Sequence, residues 1–212
     1  MTPVEGTHGK FSAGIDAYEA GFDWIARHLR SFVSLNCVLF SMWFVFQLMI
    51  VFLSIHFDSY LCFWLSTFFF NALLAFPLWE ALNIFKYRFL AKNAANGPNF
   101  LLLFRCLVAN AMFVFLCCCG YLFFFFPGIY IHSRLLIYLP IIIDDPNNGS
   151  LASLKKAWHL SQGRFLTMYS LWIATVVLTP FACLPLGLGF VLEKPVKALA
   201  KQIVFEEITK MT

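Results

Sequence analysis

An arginine and a glutamate set inside apolar runs are the residues of this chain best placed to do chemistry. Arg134 stands nine residues before Ile143, the end of its run, about 13 Å along a helix that rises about 1.5 Å per residue. Glu80 stands six residues before Lys86, about 9 Å on the same scale. An unpaired charge at such depth costs about 2.5 to 3.5 kcal/mol even on the lenient insertion scale, so it marks either a pair or a pathway. In the first case Arg134 pairs with Glu80, and Tyr130, Tyr138 and His132 add polar contacts. In the second, the guanidinium holds a phosphate or carboxylate from a lipid headgroup or solute, its natural bidentate partner. A double change, Arg134→Gln with Glu80→Gln, that restores the folded protein lost in Arg134→Gln alone would mark a mainly structural pair.

The remaining reactive side chains form no recognisable catalytic or ligand set. Asp144 and Asp145 precede Pro146 and read as a turn and helix-start signal. His8, His28, His56, His132 and His159 are scattered, and there is no zinc helix, nucleophile elbow or phosphate loop. The seven cysteines, Cys37, Cys62, Cys106, Cys117, Cys118, Cys119 and Cys183, lie mostly in apolar runs and form no C-x-x-C pair, so they are expected to be small buried hydrophobes. The expectation is a non-enzyme with no cofactor and no metal.

The elements that position Arg134 and Glu80 are membrane helices. The chain is 61% hydrophobic and only 12% charged, with 27 phenylalanines in 212 residues, against about 25% charged residues in soluble domains. The fold class is therefore an all-α polytopic membrane bundle of about six segments, some broken or short, with interfacial amphipathic helices. Residues 1–31 are a cytoplasmic amphipathic segment, mixed in charge and without a signal-peptide cleavage site. The bundle covers 32–205, with segments near 32–55, 61–85, 101–120, 122–143, 165–180 and 184–205 and an interfacial helix at 150–162; 206–212 is a cytoplasmic tail.

Charge sets the orientation. All of the fifteen Lys and Arg except Arg105 and Arg134 fall in segments that this layout places on one side, which the positive-inside bias makes cytoplasmic together with both termini. A five-span layout would carry the four C-terminal lysines across the membrane. The run from Leu101 to Ile143 is a hairpin whose outer turn lies between Gly120 and Gly128, where the backbone bends and Pro127 lacks a donor.

Three polar stretches carry helical periodicity. Ile15, Tyr18, Phe22, Ile25 and Leu29 form one stripe, and Leu151, Leu154 and Trp158 a second, bounded by Ser150 and Gly163. The third is Val196, Leu199, Ala200 and Ile203, behind a Pro195 suited to a first helical turn. Each is expected to lie in the headgroup layer against the bundle, or to recognise anionic lipid or a partner.

The run from Phe126 to Tyr130 with Pro127-Gly128, the stop Leu139-Pro140 to Asp144-Asp145-Pro146, and the helix Ala157-Trp158 with Ser161 and Gly163 occur in one order. Together they resemble a bacterial group: the YciC-like proteins and the membrane domain found with glycerophosphoryl diester phosphodiesterases. The resemblance is strongest from Phe126 to Phe165. It implies a bundle of about six helices with the motif on a broken helix and an interfacial helix, and it brings no catalytic residues. The positions it carries over are Pro127, Gly128, Pro140, Asp144, Asp145, Pro146, Trp158, Ser161 and Gly163.

Three functions fit these readings. The first is a non-catalytic protein of the bacterial inner membrane, acting in envelope or lipid homeostasis or as a scaffold. The others are a small transporter or lipid translocator using Arg134 in a broken-helix site, and a lipid-active membrane enzyme. Expected partners are membrane lipids, then a second copy or another membrane protein, and no nucleic acid.

Overall fold

The computed structural model describes residues 12–56, 60–92, 99–123, 125–183 and 190–210. They are helical almost throughout, with no strand among them. In order they form α1 (Ser12–Arg27), α2 (Leu29–His56), α3 (Tyr60–Phe69), a π-helical turn (Phe70–Ala75), α4 (Phe76–Lys92), α5 (Phe100–Phe123) and α6 (Phe125–Leu135). Then come α7 (Tyr138–Asp144), α8 (Ser150–Leu160), α9 (Phe165–Cys183) and α10 (Phe190–Lys210). Stretches at Leu29–Leu53, Leu65–Ala91, Phe100–Phe123 and Phe125–Asp144 are long and apolar enough to cross a membrane, and Phe165–Val177 is a shorter apolar helix.

Two prolines explain where the long helices depart from regularity. Pro77 cannot donate to the carbonyl four residues back, and the chain takes up a π-helical turn just before it, with Phe76 N–H bonded to the Asn71 carbonyl. Asn110 Nδ2 from α5 reaches the Ala72 carbonyl in that turn at 2.7 Å, so a loosened backbone acceptor is satisfied from a neighbouring helix. Pro140 acts likewise on Leu136, and the chain breaks at Leu136 and Ile137 between α6 and α7. Pro127 sits in the first turn of α6, where its missing donor costs nothing.

α5 and α6 pack as an antiparallel hairpin on facing glycines. A Cβ on Gly120 would lie 2.9 Å from Gly128 Cα, and one on Gly128 would run into the Tyr121 ring. Close approach of this kind is how membrane helices gain packing without a hydrophobic drive between them.

All three periodic stretches pack differently from the expectation. On α1 the buried face is Ala13, Gly14, Ala17, Tyr18, Gly21 and Ile25, while Ile15, Phe22 and Leu29 are exposed at 46%, 57% and 47%. The small residues win because they let α1 close onto α9 and α10; Gly14 N–H donates to Ser170 Oγ and Tyr18 OH meets Thr175 Oγ1. Burial pushes the Tyr18 phenol above its usual pKa range, so it stays protonated in that contact. On α8, Ser153, Leu154 and Ala157 face inward and Leu151 outward. Gly149, not Ser150, holds the N-cap position, and Ser150 Oγ donates to the Arg105 carbonyl instead. Gly163 ends the element with a φ of 74°, the left-handed turn glycine takes at least cost.

α10 differs most. Its start lies before Pro195, which stands inside the helix, and it continues to Lys210, beyond the expected end of the bundle. It packs against α1, α4 and α9 and buries Val196, Leu199 and Ala200 together with Lys194, Lys201 and Gln202. A helix that reads as a surface stripe with a lysine face is an interior helix, with Lys197 and Lys201 turned to Glu80 on α4. Residues 184–189 of the expected last segment lie outside the described residues, as do the side chains of Cys62 and Cys183. Of the other cysteines Cys106 and Cys117 are buried, whereas Cys37 and Cys118 are exposed on the outer faces of α2 and α5.

Candidate functional site

Arg134 sits near the end of α6 with its guanidinium enclosed, and the residue is only 6% exposed. Nε donates to Ser161 Oγ at 3.0 Å, one terminal nitrogen to Tyr130 OH at 2.7 Å, and the other to the Trp158 carbonyl at 2.8 Å. The Trp158 ring lies 4.2 Å from the guanidinium carbon and the Tyr130 ring 5.3 Å, a cation over two π faces. Spacing explains the arrangement: Tyr130 is one helical turn before Arg134, and Trp158 and Ser161 are one turn apart at the end of α8. The planar fork of arginine can reach all three acceptors at once, which a lysine cannot.

The expected Arg134–Glu80 pair is not formed. Glu80 lies in α4 and takes its cations from α10: Lys201 Nζ at 2.5 Å from one carboxylate oxygen and Lys197 Nζ at 3.4 Å from the other. Tyr138 donates to Asn110 Oδ1 at 2.7 Å. His132 Nδ1 stands 3.4 Å from Tyr121 OH, with its ring against Phe113 and Trp172. Of the five candidates, then, the structure brings Tyr130 to Arg134 and places Glu80, Tyr138 and His132 with other partners. Lys197 and Lys201 were missed because they read as cytoplasmic charge. Their signal is the i, i+4 spacing, which puts both on one face of a helix.

The motif positions acquire physical roles. Trp158 and Ser161 are the Arg134 clamp. Asp144 pairs with Arg88 at 3.0 Å, and Arg88 also donates to the Ile143 carbonyl at 2.6 Å. Asp145 accepts from Asn148, and the Pro146 carbonyl accepts from Arg105. The acidic-proline stop is thus fastened to α4 and α5 by two arginines. Lys86 at the Ser31 carbonyl and Arg164 at the Ile208 carbonyl repeat the pattern of a basic side chain closing a neighbouring backbone acceptor.

Because Arg134 and Glu80 have separate partners, their substitutions are expected to act independently. The stability losses of Arg134→Gln and Glu80→Gln should sum in the double variant to within about 0.5 kcal/mol, read from unfolding in detergent. Recovery in the double variant would restore the direct pair.

Beside the clamp lies an aromatic groove of about 560 Å³ lined by Phe126, Pro127, Ile129, Tyr130, Phe165 and Tyr169. Tyr130 joins the two, one face on the groove and its hydroxyl on Arg134. Among the described residues no group of His, Cys, Asp and Glu could hold a metal ion. Searches of protein-family models, curated proteins and solved structures find no match to this chain.

Proposed function

We propose that this chain is a non-catalytic, multi-pass protein of the bacterial inner membrane that holds a membrane lipid and acts in envelope or lipid homeostasis. The observation that carries the reading is the groove of about 560 Å³ at the start of α6, rimmed by the exposed Phe126 and backed by Tyr130. Its walls are aromatic rings and a proline, which suit an acyl chain. Tyr130, whose hydroxyl is held by Arg134, keeps its ring as the fixed wall against which the acyl chain would lie. The enclosed Arg134 supports a holding role: its three hydrogen bonds go to the protein, so the charge fastens the groove wall to α8. The basic side chains Lys86, Arg88 and Arg164, each at a backbone carbonyl of a neighbouring helix, support a cytoplasmic face there, with both termini on that side. The likeness of the Pro127 to Gly163 motif to YciC-like proteins agrees with this placement.

Native mass spectrometry of the chain taken from bacterial membranes in mild detergent tests the proposal. The wild type is expected to retain phospholipid. Phe165→Ala with Tyr169→Ala, which widens the groove without touching the Arg134 hydrogen bonds, is expected to lose most of it. Equal retention by both proteins would sink the groove as the lipid site.

A further inference from the structure

The interior face between α4 and α10 carries more positive than negative charge. Glu80 is shared by two ammonium groups, with Lys201 at 2.5 Å and Lys197 at 3.4 Å. The side chains of Glu80 and Lys201 are 7% and 5% exposed and that of Lys197 is 17% exposed. An ammonium has three N–H donors. Lys201 spends one on Glu80, and among the described residues Lys197 makes the longer ion-pair contact with the same carboxylate. One turn towards the N-terminus of α10 stands a further cation, Lys194, over the Phe76 ring at 4.0 Å and 3.6 Å from Glu193. Nearby on α9, the buried Trp172 Nε1 has no acceptor among the described residues. Its ring lies against His132, which is within electrostatic range of Lys197, Lys201 and Glu80.

Two cations on one carboxylate, withdrawn from water, leave an uncompensated charge, a costly arrangement in a low-dielectric interior. We propose that Lys197 and Lys201 form an intramembrane site for a small monovalent inorganic anion of chloride size, entering on the side of Lys197 and completing the coordination that Glu80 begins. Small size follows from burial, since Glu80 and Lys201 are enclosed and a phosphate ester would bring its glycerol with it. The site lies on different helices from the aromatic groove and does not depend on the lipid reading.

The test uses the full chain in phosphatidylcholine nanodiscs, exchanged into gluconate and titrated with chloride. The readouts are chloride NMR linewidth and the thermal midpoint. For the wild type, chloride is expected to broaden the line and raise the midpoint, as any ligand of the folded state does. Lys197→Gln, a change at the open edge, is expected to weaken binding about tenfold or more, having lost a charge-assisted contact. Glu80→Gln keeps the shape but removes the competing carboxylate, so it is expected to bind chloride about tenfold more tightly and to regain thermal stability as chloride is added. Linewidths equal to protein-free nanodiscs for both the wild type and Glu80→Gln would overturn the site, and so would undiminished binding by Lys197→Gln. A lysine that has given up its proton would produce the first of these results.

Discussion

Replacing Glu80 with alanine is expected to destabilise the folded bundle by about 3 to 5 kcal/mol, the cost of leaving a buried charge without its partner. The carboxylate is the joint contact of Lys201 and Lys197, and its loss strands the first of these, which is almost fully enclosed. Lys197 and Lys201, one turn apart on α10, then repel each other, and α4 no longer holds α10 by that carboxylate. By comparison, an exposed ion pair contributes about 0 to 1 kcal/mol, so the pair on the more open side, Arg88 with Asp144, should respond far less to Asp144→Ala. Unfolding with a denaturing detergent in gluconate buffer reads both variants. A second change decides the mechanism. Glu80→Ala with Lys201→Met removes both charges and replaces the ammonium with an apolar chain of similar length. It should recover most of the loss, because an apolar substitute for a buried ion pair is often neutral or better. Failure of the double variant to recover would mean that Glu80 acts through something other than Lys201.

The gap between what the sequence discloses and what the structure holds follows one physical line. Apolar length is a local property, so the four long apolar stretches, the reversal near Gly120 and Gly128 and the break before Pro140 are readable from the order of residues, whereas the last expected segment is not. Partnership is not local. Glu80 and Lys201 are 121 positions apart, and nothing in the spacing around either indicates the other. A lysine on an amphipathic pattern therefore reads as solvated, whereas α10 turns Lys194 and Lys201 inward. Arg134 is intermediate: Tyr130 lies one turn away and is legible, but Ser161 and Trp158 needed α8 to fold back onto α6. The motif named those two positions without supplying the reason, which is the guanidinium between them.

α1 packs through its small residues rather than its large ones. Its large apolar residues point outward while its glycines and alanines make the contact, because the depth of a helix crossing is set by the smallest side chains in it. Gly14 is the closest point. A Cβ there would lie 2.7 Å from the Thr167 carbonyl oxygen and nearer still to Leu171 N and Ser170 Oγ. Two of the three obstacles are backbone, so α9 cannot yield by turning a side chain. Gly14→Ala is expected to cost about 3 kcal/mol, the upper part of the usual overpacking range. The gain of about 1 kcal/mol in helix propensity does not offset it. Ser170→Gly removes one obstacle and should not rescue it. At Gly21 the nearest atom to a Cβ would be the Val196 carbonyl oxygen at 3.3 Å, so Gly21→Ala should cost less than Gly14→Ala. Amide hydrogen exchange distinguishes local from global loss. Gly14→Ala should speed exchange in α1 and in the turns of α9 and α10 beneath it, while the α5–α6 hairpin, away from the α9 atoms that a Gly14 Cβ would strike, keeps its protection. If both glycine variants leave α1 as protected as in the wild type, the close crossing on α9 is wrong, and with it the reason that Ile15 and Phe22 face outward.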